Sequence, residues 1–296
     1  MVGMEGLVIK DSGKNNYLKQ LLEYVCQMRG IDFSLYRQAT VSRKLELRLQ
    51  ETRCRDYRTY FSFLKANPDE LQVLVRTLTI KVSNFFRNPV VFELLSSSVF
   101  PELIAEFGFL EAWSLGCANG EEPYSVAMIA HEYRSQENLS FVCRIQGTDV
   151  DPEAVGKAVY GEYSDEELFE TKRKYIDAYF KRLPHQFGSC LGHERYQIND
   201  EIKSMVSFSS DNIMNILLHK RASLGRYNII LCRNVLIYLN RDMQEEMISA
   251  IGDILYNKGY LVIGEAETMP ESVRQKFEQP FPGIKIFRKR QSATAS

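Results

Sequence analysis

The stretch "WSLGCANGEEPYS", Trp113–Ser125, passes from an apolar start through a loop bounded by two glycines to a pair of acids and a proline. That order predicts a strand over "EAWSL", a turn, and a helix over "PYSVAMIAHEY" with Pro123 near its first turn. In a parallel sheet, ligands bind beyond the carboxyl ends of the strands, where this loop falls. A dinucleotide site would show G-x-G-x-x-G, with glycines that admit a pyrophosphate. Here only Gly116 and Gly120 are present, followed by Glu121 and Glu122. Two acids suit the dipole of a helix N-terminus, but they repel a bound pyrophosphate.

Outward from that stretch, the chain alternates. "FVCRIQGTD", "YNIILC", "YLVIG" and "GIKIFRKR" read as strands, and "RDMQEEMISAIGDILYNKG" reads as a helix ended at Gly259. Alternation of this kind predicts a mostly parallel sheet covered by helices on both faces, with the last strand able to run antiparallel. Between Tyr160 and Ser210 the alternation lapses. There "SDEELFETKRKYIDAYFKRL" reads as a polar helix, and "ERYQIND" and "MVSFSS" read as short strands. An insertion into the sheet domain is expected. The first eighty or so residues carry helical periodicity in "YLKQLLEYVCQMRG", "TVSRKLELRLQETRC", "DYRTYFSFLKAN" and "PDELQVLVRTLTI", which predicts a small bundle. The tail "QSATAS" is expected to be disordered.

A second acid marks the ligand. "RIQGTD" sets Asp149 at the end of the next strand, where a carboxylate can take both hydroxyls of a ribose. Taken singly, Glu121 and Glu122 are ordinary first-turn acids and Asp149 is a cap for "DPEAV". Taken together, they predict a ligand with a ribose, no phosphate and a positive charge. S-adenosyl-L-methionine has that chemistry.

Bulk properties bound the alternatives. The chain has 296 residues, 45% of them hydrophobic, and a formal net charge of -1. It can bury a sizeable core, and its net charge makes no case for nucleic acid or membrane. From Arg29 to Arg58 there are eight Lys/Arg against four Asp/Glu. Arg37, Arg43, Lys44, Arg48 and Arg55 read as a solvated helix face or as an electrostatic docking surface for acidic helices. Six scattered cysteines with no C-x-x-C pair, a start "MVGMEGLVIK" unlike a secretory signal, and no membrane-length apolar run predict a reduced, cytoplasmic protein. His185, Cys190 and His193 lie close together, but three ligands on a glycine-containing loop make a poor metal site, and no metal is expected.

The segments "TIKVSNFFRNPVVF", "WSLGCANGEEPYS", "GTDVD", "FSSDNI" and "ILCRNVLIYL" occur in that order. Together they resemble the motifs of the CheR-type chemotaxis receptor methyltransferases over about Tyr17 to Arg288. The resemblance implies an α/β fold: a class I methyltransferase, Rossmann-like and mostly parallel sheet, with an inserted small antiparallel β-subdomain, preceded by an N-terminal α-helical domain. The expected division is residues 1–84 for the helical domain and 85–296 for the methyltransferase domain, with the insertion at about 180–206. The implied reaction transfers a methyl group from S-adenosyl-L-methionine to glutamate side chains on the cytoplasmic domains of methyl-accepting chemoreceptors. It leaves S-adenosyl-L-homocysteine, and the enzyme is expected to be a monomer.

The resemblance also implies residue roles. Lys81, Ser83 and Arg87 contribute to the cofactor site, Glu121 binds the amino-acid end, Asp149 the ribose, and Asn212 and Ile213 the adenine. Arg233 and Asn234 open the loop after the fourth sheet strand and complete the cofactor set. Arg87 and Tyr238 place the substrate. A glutamate with a pKa of about 4.3 is already an anion at neutral pH, so it needs alignment rather than a general base. An arginine can hold one carboxylate by paired hydrogen bonds, and a tyrosine hydroxyl can fix one oxygen.

Two positions depart from the family. Lys81 stands where a small polar residue is usual, and Glu265-Ala266-Glu267 stands where His-Ser-Glu is frequent. The second departure reads as surface or loop detail. The first touches the cofactor site and keeps open a different class of function, a non-catalytic regulatory protein that binds S-adenosylmethionine or S-adenosylhomocysteine. A nucleic-acid methyltransferase would share the fold, but it would usually carry a proline pair where "CRNVLIY" stands.

Overall fold

In the computed structural model the described residues are 5–79, 83–184, 194–219 and 224–291, with side chains described from Asn16 onward. The chain forms two compact units, Met1–Lys81 with Tyr238–Met243, and Val82–Ile237 with Gln244–Ser296. Lys81, His185, Cys190, His193 and the segment "SATAS" lie outside the described residues.

The first unit is helical: α1 (Glu5–Arg29), a short 3-10 turn (Phe33–Leu35), α2 (Gln38–Glu51), α3 (Tyr57–Ala66) and α4 (Pro68–Leu78). Leu18, Leu21 and Val25 of α1 are buried with Val41, Leu45, Tyr60, Leu64, Leu71 and Leu74, as the periodicity predicts. A capping box between Asp56 and Thr59 starts α3, and Pro68 opens α4, where a missing N–H costs nothing.

The basic run around α2 proves to be only partly a solvated face. Arg37, Arg43 and Arg55 are exposed, whereas Lys44 and Arg48 are buried. Lys44 Nζ donates to the carbonyls of Thr77 (2.5 Å) and Leu78 (2.9 Å), closing the C-terminus of α4. Burial, and then Arg43, lowers its pKa to about 8. Arg48 holds Glu70 through two guanidinium nitrogens (2.7–3.0 Å), and the Tyr60 hydroxyl donates to the same carboxylate at 2.6 Å. Long side chains let two of the five cations reach inward while the charge pattern still looks like a surface.

The second unit begins with a helical run, α5 (Pro89–Leu94), a π-helical turn (Leu95–Val99) and α6 (Phe100–Phe107). Then follow β1 (Phe109–Leu115), α7 (Glu121–Gln136), β2 (Val142–Asp149), α8 (Pro152–Tyr160), β3 (Glu162–Ser164), α9 (Arg173–Tyr179), β4 (Phe180–Arg182), β5 (Arg195–Ile198), α10 (Asp200–Lys203), β6 (Val206–Ser210), α11 (Ile213–His219) and β7 (Tyr227–Cys232). The remaining elements are α12 (Arg241–Ile254), β8 (Leu255–Ile263), α13 (Glu271–Arg274), β9 (Phe277–Glu278) and β10 (Ile286–Lys289).

Seven strands make one sheet in the order β6-β2-β1-β7-β8-β10-β9. The first five pair in parallel, and β10 is antiparallel to both β8 and β9. This is the expected mostly parallel α/β sheet. Because β2 and β7 flank β1 on opposite sides, the loops after β1 and β7 diverge at a topological switch point, the place where such sheets bind ligands. A separate three-stranded antiparallel sheet, β3-β5-β4, forms the small subdomain.

Three details differ from the sequence reading. β3 lies before the expected insertion, and β6 ("VSFSS") joins the main sheet beside β2. Of "SDEELFETKRKYIDAYFKRL" only Arg173–Tyr179 is helical; the preceding residues form turns in which Leu168 is buried. The helix expected to end at Gly259 ends at Ile254, and β8 begins at once. Lys258 is left-handed (φ 65°) and the register against β7 shifts between Tyr227 and Ile229, so the glycine serves an irregularity in a strand rather than a helix end.

Candidate functional site

The loop after β1 is built on left-handed backbone. Gly116, Ala118 and Gly120 have φ of 75°, 48° and 93°. A Cβ on Gly116 would sit 2.7 Å from Val235 Cγ2, so this loop and the loop after β7 approach too closely for a side chain there. The turn is tied to the end of β2. Ala118 N–H donates to Asp149 Oδ2 at 2.9 Å, and Asp151 N–H donates to Asp149 Oδ1 at 3.0 Å. Asp149 therefore shapes the loop, and a carboxylate with about four acceptor sites keeps capacity for further donors. Asp211 N–H bonds the Asp149 carbonyl (3.1 Å), and Asn212 Oδ1 caps α11 by accepting from Met214 N–H (3.0 Å). Ile213 is buried beside it.

Glu121 and Glu122 are adjacent yet have different surroundings, as residues about 100° apart around a helix must. Glu122 is engaged: Ser114 Oγ donates to it at 2.7 Å and Arg233 at 3.1 Å. Glu121 is 2% exposed, and its Oε2 has no hydrogen-bond partner among the described residues. Its other bonds come from Asn119 Nδ2 (3.2 Å), the Ser83 side chain and a backbone N–H. Burial pushes its pKa up to about 7 against the pull of those donors. The Cys117 thiol is pushed up by burial and then by Asp149, Glu122 and Glu121, so the loop is anionic throughout. The small sheet braces it, because Tyr163 of β3 is buried and donates its hydroxyl to the Asn119 carbonyl at 2.6 Å.

Arg87 lies between two non-glycine residues in left-handed geometry, Phe86 (φ 53°) and Asn88 (φ 58°). Such backbone persists only where its surroundings over-determine it, and it concentrates at functional sites. Three anchors hold it here. Phe86 N–H donates to Ser125 Oγ (2.9 Å), which itself donates to the Glu121 carbonyl (2.6 Å). The Phe86 ring stacks on Tyr175 with centroids 4.3 Å apart. Arg233 donates to the Arg87 carbonyl (2.6 Å) and to Asn88 Oδ1 (2.8 Å), while its guanidinium lies 5.5 Å from the Phe92 ring centroid. Asn88 in turn donates to Glu265 at 2.6 Å.

The loop after β7 carries Arg233 and Asn234, the latter left-handed at φ 61°. It folds around Glu267, which is 3% exposed and accepts from the N–H groups of Gly264, Asn234 (3.1 Å) and Ile237 (3.2 Å). The two residues that depart from His-Ser-Glu, Glu265 and Ala266, are exposed in a turn, as the reading of surface or loop detail has it. Glu267, which matches the family's glutamate, is interior, and Glu265 bonds Asn88 beside Arg87. Tyr238 falls in the helical unit, where its carbonyl accepts from Arg37 N–H (2.7 Å) and the neighbouring Leu239 bridges to Tyr36.

Within the sheet unit, then, the structure gathers Ser83 and Glu121 directly, and ties Asp149 to the loop between them. Asn212 and Ile213 follow on the next strand end. Arg233 is joined to the Arg87 backbone. Sequence reasoning missed Ser125, Asn88, Tyr163 and Glu267. The first two stood within quoted motifs, and only their hydrogen bonds reveal what they do. No cluster of His, Cys, Asp and Glu suited to a metal occurs among the described residues, and none of their helices is long and apolar enough to cross a membrane.

The donor set suits S-adenosylmethionine. A buried, unpartnered carboxylate oxygen matches a cationic amino group, Asp149 matches ribose hydroxyls, and no cation in the loop invites a phosphate. Comparison with known proteins agrees. Residues 81–282 match the family model described as CheR methyltransferase, SAM binding domain, and residues 16–79 match CheR methyltransferase, all-alpha domain. The chain is similar to a chemotaxis protein methyltransferase of Borreliella burgdorferi, 25% identical over 270 residues, covering 89% of this chain and 92% of the relative. It is 27% identical to the putative methyltransferase Cher3 of Pseudomonas putida, covering 92% of this chain and 96% of that one. With chemotaxis protein methyltransferase 1 of Pseudomonas aeruginosa it shares 30% identity, over 67% of this chain and 70% of the relative.

Proposed function

Since the chain belongs to the CheR methyltransferase family, and so uses S-adenosyl-L-methionine for methyl transfer in chemotaxis, we propose that its substrate groups are glutamate carboxylates on the cytoplasmic helices of methyl-accepting chemoreceptors. The products are glutamate methyl esters and S-adenosylhomocysteine. The observation that carries the reading is the anionic loop after β1, with one buried carboxylate oxygen of Glu121 left without a partner among the described residues. It is suited to a cationic methyl donor and unsuited to phosphate.

Glu121 and Ser83 would hold the amino-acid end of the cofactor, Asp149 the ribose, and Asn212 and Ile213 the adenine. The cofactor supplies an electrophilic methyl group. The substrate carboxylate attacks as the anion it already is, so the protein's task is alignment and exclusion of water. Arg87 would hold that carboxylate, and the strained, three-point anchoring of its backbone supports a fixed guanidinium origin. Tyr238 would fix one carboxylate oxygen.

The test is incubation of the protein with methyl-labelled S-adenosylmethionine and a chemoreceptor cytoplasmic fragment. Label released as methanol in mild base, and lost when the receptor's glutamates are changed to alanine, supports ester formation. Base-stable label contradicts it. Cofactor binding without transfer to any receptor would favour the non-catalytic regulatory reading.

A further inference from the structure

Of the buried ionisable side chains outside the cofactor set, Glu267 has the most unusual surroundings. Its partners are main-chain amides. Oε2 accepts from Gly264 and Asn234 N–H, Oε1 from Ile237 N–H, and the Leu236 N–H also bonds the carboxylate. Converging main-chain N–H groups form a concave anion site, and here the anion is a side chain of the same unit. Gly264 makes room for it: a Cβ there would lie 2.8 Å from Glu267 Oε2 and 2.9 Å from the Asn234 nitrogen. Asn234 reaches its amide into the site only by adopting φ 61°. On its far side the same turn is pinned by Gln244, which donates to the Leu236 carbonyl at 2.8 Å.

A carboxylate can accept from every one of these amides, because it has about four acceptor sites and no proton. A carboxamide cannot, since its NH2 must face at least one donor. One buried N–H then loses its partner, and the turn must open or bear that cost. The turn runs from Arg233, which fixes the backbone of Arg87, through Ile237, the residue before Tyr238.

We propose that Glu267 is a positioning residue for methyl transfer: it is the internal anion on which the loop after β7 is folded, and it acts on turnover through the segments that carry Arg87 and Tyr238. The inference rests on the methyltransferase reading above. Burial raises the Glu267 pKa while the four amides pull it down, so the site works against protonation by supplying donors alone.

Three variants test it, each assayed for methyl transfer and for S-adenosylmethionine binding by calorimetry, with folding checked by circular dichroism. Glu267→Gln should fold and bind the cofactor within about threefold of wild type, yet lose about thirtyfold in kcat, the equivalent of about 2 kcal/mol. Glu267→Asp, which keeps the anion, should recover part of that loss. Thr268→Ala, exposed and next in the chain, should match wild type. If Glu267→Gln keeps wild-type kcat, the proposal is overturned. It is also overturned if kcat and cofactor affinity fall together in proportion, or if Asp rescues no better than Gln, since either marks Glu267 as a general structural residue. Failure of the wild-type protein itself to transfer methyl groups would instead reject the functional reading.

Discussion

The loops after β1 and β7 leave neighbouring strands of one sheet, and each is organised around a buried glutamate, but the two carboxylates are treated oppositely. Glu267 is saturated by amides, and Glu122 by Arg233 and Ser114. Glu121, one residue from Glu122, keeps an oxygen with no partner among the described residues. Burial without satisfaction is costly, so a protein tolerates it where a ligand completes the set. On the proposed reading, the β1 loop is a receptacle and the β7 loop is the scaffold that aims the reacting groups. Substitutions in the scaffold should damage stability or turnover, whereas substitutions in the receptacle should damage binding.

The largest effect is expected at the junction between them. Arg233→Ala leaves Glu122 buried without its cation, and breaking such a pair costs about 3–5 kcal/mol. Urea unfolding should show that loss, and Arg233→Met combined with Glu122→Gln should recover much of it. Equal losses in the single and the double variant would mean that the ion pair is not what holds the two loops together.

Next in size, Asp149→Ala should weaken S-adenosylmethionine binding by about 1–3 kcal/mol, the usual cost of stranding polar partners. Part of that loss should come through the β1 loop, because Ala118 N–H loses its acceptor. Unchanged affinity by calorimetry would place the ribose elsewhere.

A further contrast lies in the helical unit. Arg48→Glu should lower its stability by removing the bonds to Glu70, whereas Arg43→Glu, at an exposed position, should leave stability alone and weaken only salt-sensitive receptor docking. Receptor methylation unaffected by Arg43→Glu at low salt would remove the docking role from this face.

Much of this was legible in the sequence because residue type and strand position suffice for it. A glycine-bounded turn followed by acids, and an aspartate closing the next strand, point to a phosphate-free receptacle from residue types alone. What stayed illegible depends on direction. Sequence cannot say which of two adjacent glutamates faces inward, since a helix turns them apart. It cannot say that Lys44 and Arg48 reach back to helix ends and to Glu70, because flexible stems allow either outcome. The role of Glu267 was not legible because, besides Gly264, its amide partners come from a turn some thirty residues earlier, brought near by the β7–β8 pairing. Leu255–Lys258 reads as the last turn of a helix, because a short apolar run before a glycine fits a helix end, whereas pairing with β7 makes it the start of β8.

The central claim, that Glu121 is the open seat for the cationic end of the cofactor, has a direct readout in protons. With its pKa pushed up by burial to about 7, the ligand-free carboxyl holds a proton in part of the population near neutral pH. A bound cation favours the anion, so binding should expel that proton, and affinity should rise with pH through about 7. The cofactor's amino group, with an ordinary pKa near 7.7–8.0, takes up roughly a tenth of a proton in the opposite sense. Calorimetric titration of S-adenosylmethionine at pH 7, in two buffers of different ionisation enthalpy, should therefore report net proton release, abolished in Glu121→Gln. Zero release or net uptake by the wild type, or a release that survives Glu121→Gln, would contradict the claim.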